Sequence, residues 1–422
     1  MTTNEPQELL PQTKAVHPPL WRNRNYMLLW VGQTISAIGN NITTIALPLL
    51  ILDLTNSPST AGFAEALRAT PYLFLSLPVG AFIDAWNRKR VMIICDLGRA
   101  AALSSIVIAL ALHVLTITQI YIVAIIGGTL FVFFDLAEVS SLARVVPKEQ
   151  LPQASGQNQA TFGIATLIGA PLGGAIYSIG QIFPFLGNVI GYTGSAISLM
   201  AIKIKFQDER AAKQKSNLLK DIAEGISWLW KQPLIRYMAF LTGSLNLIES
   251  GLFLALIVIA RAHGATPVEI GFIGSIVAVG GIIGSIIGAF IQQKFTFGQV
   301  IIATLWIQGA AIALTIVSAN FILLGLFAGI AVMMGPIYNV VQFSYRISLI
   351  PDQLQGRVNS VFRLLAYGGI PIGEALTGVG LQYLGPIRLI IIMTSLVGVV
   401  AVITSFNSLV RKANPITANA KA

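Results

Sequence analysis

The chain alternates long apolar runs with short polar breaks. About 20 apolar residues cross a bilayer as a helix. Twelve such runs are read at roughly 26–53, 60–85, 91–112, 119–146, 156–180, 183–204, 235–262, 267–292, 298–318, 321–349, 358–384 and 387–409. The breaks LTNSPST, NRKR, HVLTIT, PKEQLPQ, HGATP, SAN and PDQLQGR hold turn formers and charges. The longest polar stretch, 205–233, splits the runs six and six. Within it Leu218, Leu219, Ile222, Ile226 and Leu229 recur at helical spacing, which predicts an amphipathic helix on the membrane surface.

The pattern also repeats. GAPLGGAI (169–176) matches GIPIGEAL (369–376), and GAFI at 80–83 returns at 288–291. FFDLAEVSSLARVVP (133–147) aligns with IYNVVQFSYRISLIP (337–351). Each pair falls on equivalent spans of the two halves. The expected fold is all-α: two pseudo-symmetric six-helix bundles in parallel orientation, an arrangement that suits a midplane site between halves. The expected boundaries are a tail at 1–24, bundles at 25–204 and 234–410, the linker at 205–233 and a second tail at 411–422.

Composition sharpens this picture. Of 422 residues 55% are hydrophobic and 10% charged, against about 25% charged in soluble domains. Mean hydropathy is +0.76. Residues 1–24 are polar and lack the apolar core of a cleavable signal, so the first span is expected to stay. The net charge of +10 does not imply nucleic acid. With the N-terminus inside, all 27 Lys and Arg except Arg68, Arg99, Arg261 and Arg388 fall on the cytoplasmic side. That asymmetry predicts a multi-pass protein of the cell membrane with both termini cytoplasmic. The single Cys95 and three scattered histidines exclude a disulfide framework and show no metal-ligand spacing. No phosphate-binding GxxxxGK[ST] loop occurs, so neither ATP nor another cofactor is implied.

Carboxylates inside an apolar helix are costly and mark functional candidates. Asp135 and Glu138 are three residues apart on one helical face. Asp135 lies about 24 Å from the outer end of its span, in the cytoplasmic third. The repeat places Asp135 opposite Asn339 and Glu138 opposite Gln342, so both halves keep these positions polar. Two readings stand: proton coupling, or a structural ion pair with Arg144 or Arg346. Glu249 and Glu374 lie nearer the midplane, and Glu374 occupies the position held by Gly174 in the first half. Both are coupling candidates. Asn40, Asn41, Asn246, Tyr338, Asn339 and Gln342 are cavity candidates, with interhelical hydrogen bonding as the alternative role. Glu65 and Arg68 are expected to pair. Gly280, Gly284 and Gly288 have the spacing of a helix-packing face. Phe131, Phe133, Phe134, Trp306 and Tyr338 could form an aromatic pocket, or face lipid and core.

PVGAFIDAWNRKRVMIICDLGRA (78–100) resembles the loop between spans two and three of the major facilitator superfamily, G-x-x-x-D-[RK]-x-G-R-[RK]. Gly80, Asp84, Arg88 and Lys89 match; Ala85 and Asn87 depart from the pattern, Asn87 tolerating a left-handed turn. The resemblance implies a cytoplasmic latch made by Gly80, Asp84, Arg88, Lys89, Arg90, Asp96 and Arg99, in which Gly80 permits close helix approach. Asp96 and Arg99, one turn apart, are expected to pair with each other or with the latch. RVVPKEQLPQASGQNQ, EGISWLWKQP and IPDQLQGRVNSVFRL look like the drug–proton antiporter branch that includes macrolide-efflux proteins and an enterobactin exporter. The branch's span-five signature is present only as APLGGA (170–175), and the arginine pattern of span four is missing. The resemblance implies a monomeric exporter of amphipathic small molecules in a bacterial-type inner membrane, with the proton as coupling ion. A dedicated exporter of an endogenous metabolite such as a siderophore is the alternative. A membrane enzyme would need a nucleophile–base or His–Asp constellation that the scattered histidines do not supply. A sensor would be expected to add a signalling domain.

Overall fold

The computed structural model describes residues 19–204, 206, 218–351 and 354–413, without the side chains of 81, 84, 85 and 218–221. The first half comprises α1 (Arg24–Thr55), α2 (Pro58–Ala85), α3 (Arg88–Ala111), α4 (Ile117–Val145), α5 (Leu151–Ile179) and α6 (Phe183–Ala201). A surface helix, α7 (Leu218–Lys231), precedes the second half. That half comprises α8 (Pro233–Glu249), α9 (Leu252–Ala262), α10 (Pro267–Lys294), α11 (Phe297–Leu314), α12 (Phe321–Leu349), α13 (Gln355–Tyr367), α14 (Ile370–Leu384) and α15 (Pro386–Phe406).

Among the described residues, ten helical segments are long and apolar enough to cross a membrane. The expected second and sixth spans are α2 and α6. Both are helices, and they pack against α4 and α14, and against α1 and α3, respectively. Spans seven and eleven, read as continuous, are broken, at Ser250–Gly251 and Gly368–Gly369.

Local chemistry explains the turns. Between α1 and α2, Asn56 takes a left-handed φ of 48°, Ser57 caps the next helix through Thr60 N, and Pro58 starts it. Asn87 does not make the left-handed turn expected of it. Its φ is −69°, and its side chain accepts from Arg90 N as the N-cap of α3. Thr266 and Glu269 close a capping box at the start of α10. The surface helix is docked rather than free: Leu229 is buried against the second half and Glu224 meets Arg357 at 2.6 Å. The Leu218 and Leu219 side chains lie outside the described residues.

Buried apolar residues form three clusters. One, holding Leu49–Leu52, Ala170, Tyr177, Leu254–Ile257, Ile270 and Ile390, joins both halves. It sits at the end of the molecule reached by the C-terminus of α1, called distal here. At the opposite, proximal end each half has its own cluster: Tyr26, Ile83, Met92 and Phe134 in the first, Met238, Ile301, Val341 and Phe362 in the second. The halves are therefore packed together distally and have separate cores proximally.

Two contacts across the halves mirror each other. α5 packs on α10, where a Cβ at Gly174 would stand 2.0 Å from the Pro267 carbonyl oxygen. α14 packs on α2, where a Cβ at Gly62 would stand 2.7 Å from the Glu374 carbonyl oxygen. These are equivalent span pairs, five with eight and eleven with two, so the sequence repeat reappears as a repeat of contacts. Gly280 and Gly284 serve the packing role expected of them, against α12.

Candidate functional site

The first half encloses a cavity of about 480 Å³ lined by α1 to α6. α1 contributes Gln33, Ser36, Asn40, Asn41 and Thr44, a polar stripe at helical spacing. α4 contributes Gly127, Phe131, Phe134, Asp135 and Glu138, which share one face for the same reason. The two carboxylates of the FFDLAEV stretch therefore point into a chamber and not into lipid. Among the described residues neither has a hydrogen-bond or ion-pair partner. Arg346, one partner expected under the structural reading, instead stacks on Phe362 at 3.8 Å and Phe343 at 5.3 Å. The positive charge acting on Asp135 comes from Arg363 of α13, which donates to Tyr72 of α2 at 2.6 Å across the two halves.

The chamber wall also carries two ion pairs. Arg68 meets Glu65 at 2.7 Å, as expected, and its side chain is 51% exposed because it opens on the cavity. Arg99 meets Asp96 at 2.6 Å with side-chain exposures of 4% and 0%. The Arg99 guanidinium lies 4.5 Å from the ring centres of both Phe134 and Tyr192. Tyr192 donates to Asn40 Oδ1, and Asn188 donates to Thr43 at 2.8 Å. Asn41 bonds its own helix at the Ala37 carbonyl while lining the chamber. Tyr192, Asn188 and Gln33 escaped the sequence reading. The α1 stripe at 33, 36, 40 and 44 was the available signal.

Several expected site residues stand elsewhere. Glu249 is not in the chamber wall; it ends α8 and accepts from Gln308 of α11 at 2.7 Å. Glu374 is likewise absent from the wall and lies where α14 meets α2, within electrostatic reach of Glu65 and Arg68. Asn246 ties α8 to α13 through the Ala366 carbonyl at 2.7 Å. Tyr338 is buried and bonds Thr242 at 2.8 Å, joining α12 to α8. Gln342 is buried and Asn339 exposed, both away from the chamber. Asn246 and Tyr338 thus serve as interhelical ties, to a backbone carbonyl and a hydroxyl respectively. The aromatic set is also dispersed. Phe131 and Phe134 line the chamber, Phe133 stacks on Trp86, and Trp306 bonds Ser405 on an exposed face.

The expected latch group divides in two. Asp96 and Arg99 pair deep within the first half, with Arg99 in the chamber wall. Arg88 donates to the Ser140 carbonyl at 2.8 Å and Lys89 to the carbonyls of Met200 and Ile202, all in the first half. Arg90 is exposed. A Cβ at Gly80 would meet nothing within 4 Å, so no helix approaches it closely here. The Asp84 side chain lies outside the described residues.

At the distal end Asp53 of α1 gathers three donors. Tyr177 donates to it at 2.5 Å, Gln181 at 3.2 Å and Arg261 of α9 at 2.6 Å. Arg261 also reaches the Leu49 carbonyl at 3.3 Å. Sequence reading singled out Arg261 only as a cation on the outer side.

Residues 29–252 match the profile of the Major Facilitator Superfamily, over half of the chain. The chain belongs to the Major Facilitator Superfamily. It is thus a multi-pass membrane transporter and not an enzyme. Among superfamily relatives, the multidrug efflux pump Tap of Mycolicibacterium fortuitum is 26% identical, covering 83% of this chain and 88% of that protein. Macrolide efflux protein A of Streptococcus pyogenes is 24% identical over 93% of this chain and 98% of its own length. Among solved structures, a bacterial homologue of the human lysosomal transporter Spinster, inward-facing and occupied, superposes with a TM-score of 0.74 at 13% identity, covering 94% of this chain and 98% of that one. A bacterial homologue of the iron transporter ferroportin, also inward-facing, gives 0.72 at 14% identity, over 92% and 100%. At those identities the likeness establishes the superfamily fold alone.

Proposed function

We propose that this protein exports amphipathic small molecules of drug or macrolide type across the cytoplasmic membrane, by alternating access and proton antiport. One observation carries the reading: Asp135 and Glu138 face, without partners among the described residues, a chamber in a molecule whose halves share a buried apolar cluster at the distal end and have separate clusters at the proximal one. The basic residues crowd the proximal end, so that end is the cytoplasmic one and holds both termini. The state described is then open inward, with the strap at Asp53 closing the outside. Residues 25–204 and 234–410 are the two moving bundles, 205–233 their linker, and one chain suffices. The loop from Gly80 to Arg90 is the latch of the opposite state, in which the space beside Gly80 would be filled.

Chemistry supports the substrate class. Phe131, Phe134 and Phe162 offer apolar surface beside two carboxylates, a setting for an amphipathic molecule with a protonated amine. A carboxyl in a low-dielectric setting favours its neutral form, which lets it exchange protons near neutral pH. Proton and cationic substrate then compete for the same oxygens. The relatives named as efflux pumps favour drugs over an endogenous metabolite.

The test is uptake of a labelled macrolide by inverted vesicles under an acid-inside proton gradient. Accumulation should collapse when a protonophore is added, and with Asp135→Asn and Glu138→Gln. Uptake indifferent to the gradient removes antiport. Full uptake by both variants removes these two residues from coupling.

A further inference from the structure

A second cavity, about 340 Å³, lies at the proximal rim of the first half. It shares no lining residue with the chamber. Its walls carry Lys89 and Arg90 from the start of α3 and Lys203 from the segment after α6, with Ile93, Ile204 and Phe206 as apolar floor. No acid lines it among the described residues. Three cations from two separate elements thus converge on one recess.

The cations are not all consumed by the fold. Lys89 donates to the Met200 and Ile202 carbonyls, which pins the start of α3 to the end of α6. An ammonium has three donors, so one remains. Arg90 and Lys203 are exposed. The first turn of α3 is basic throughout and contains no acid. Cations at a helix N-terminus oppose its dipole, so an anion in the recess would relieve that repulsion as well as the mutual repulsion of the three side chains.

The surroundings select the kind of anion. Met200 of α6 lines the recess with its side chain exposed, and Ile197, one turn before it, and Ile94, next to the lining Ile93 of α3, are exposed apolar residues as well. In a bilayer these face acyl chains. A ligand that fits both features has a phosphate at the cations and hydrocarbon along the helices. We propose that this recess binds the headgroup of an anionic phospholipid of the cytoplasmic leaflet, its phosphodiester held by Lys89, Arg90 and Lys203. The proposal uses the orientation assigned above but not the transport mechanism.

The experiment is native mass spectrometry of the full-length protein in detergent, supplied with phosphatidylglycerol and phosphatidylcholine in competition. Wild type should retain phosphatidylglycerol preferentially. The double variant Arg90→Gln/Lys203→Gln, which leaves the structural Lys89 in place, should lose that preference by roughly thirtyfold, the worth of two interfacial cations. Its unfolding temperature in lipid-free detergent should match wild type. An unchanged preference in the variant overturns the proposal. So does an equal rise in unfolding temperature with inorganic phosphate and with phosphatidylglycerol, which would mark a small-anion site. Maleimide labelling of Lys203→Cys in intact cells and inverted vesicles, in a Cys95→Ser background, tests the orientation separately.

Discussion

Arg261 stands 2.6 Å from Asp53 and so ties the end of α9 to the end of α1, one half of the transporter to the other. The pair is partly exposed, with side chains 28% and 32% accessible, and Tyr177 and Gln181 add two more hydrogen bonds to the same carboxylate. A pair of this kind contributes up to about 1 kcal/mol. Arg261→Ala should therefore shift the balance of states about fivefold toward the outward-open form. The shift is read as faster labelling of Thr44→Cys, in the chamber wall, by impermeant maleimide from outside. The charge exchange Asp53→Arg/Arg261→Asp should restore much of the wild-type rate. No change in labelling for Arg261→Ala would show that the apolar cluster alone holds this end shut.

The distal closure also depends on the absence of a side chain at Gly174. Its Cβ would lie 2.0 Å from the Pro267 carbonyl oxygen, and backbone cannot yield as a side chain does. Gly174→Ala should force α5 from α10, at a cost of about 1–3 kcal/mol to the closed arrangement. Gly62→Ala, with a clearance of 2.7 Å to the Glu374 carbonyl, should do the same more weakly. The Thr44→Cys labelling rate again checks the order: Gly174→Ala fastest, Gly62→Ala intermediate.

Asp96 and Arg99 pose a different case, since both are buried. Asp96→Ala leaves a guanidinium in the helix packing without its ion-pair partner, between the Phe134 and Tyr192 rings and with the Glu138 carboxylate in electrostatic reach. The expected loss is about 3–5 kcal/mol, enough to remove most folded protein. Asp96→Ala/Arg99→Met should recover much of the unfolding temperature, because it removes both charges together. Equal instability of the single and double variants, measured by thermal unfolding in detergent, would rule out the buried charge as the cause.

Coupling can be separated from binding by counterflow, which needs substrate exchange but no proton. Asp135→Asn and Glu138→Gln should abolish gradient-driven uptake and each leave counterflow of a labelled macrolide within about fivefold of wild type, since one altered contact in a cavity is worth about 1 kcal/mol. Glu249→Gln should retain both activities, because an amide oxygen can still accept from Gln308. Loss of gradient-driven uptake in Glu249→Gln alone would move the coupling site to the second half.

Helix periodicity and the intolerance of lipid for charge made a large part of this protein legible from its residues. The apolar runs located the helices, the paired words at 169–176 and 369–376 located the repeat, and spacing placed Asp135 and Glu138 on one face. The breaks at Ser250–Gly251 and Gly368–Gly369 were not legible, because Gly and Pro also stand inside unbroken helices, as Pro171, Gly173 and Gly174 do in α5.

A helix's own sequence says which face is polar but not which helix stands opposite. That is why Asp135 and Glu249 looked equivalent as residues and are different in the structure: one opens on a chamber, the other meets Gln308. Asn40 and Asn246 divide in the same way, into a chamber wall and an interhelical tie. Composition and periodicity determined the membrane class, the course of the apolar spans and the symmetry, because these depend on local transfer costs and on the 3.6-residue turn. Tertiary packing alone decided that the chamber lies within the first half, that Asp53 and Arg261 meet, and that the halves share an apolar cluster at one end, because each depends on contacts between segments distant in the chain.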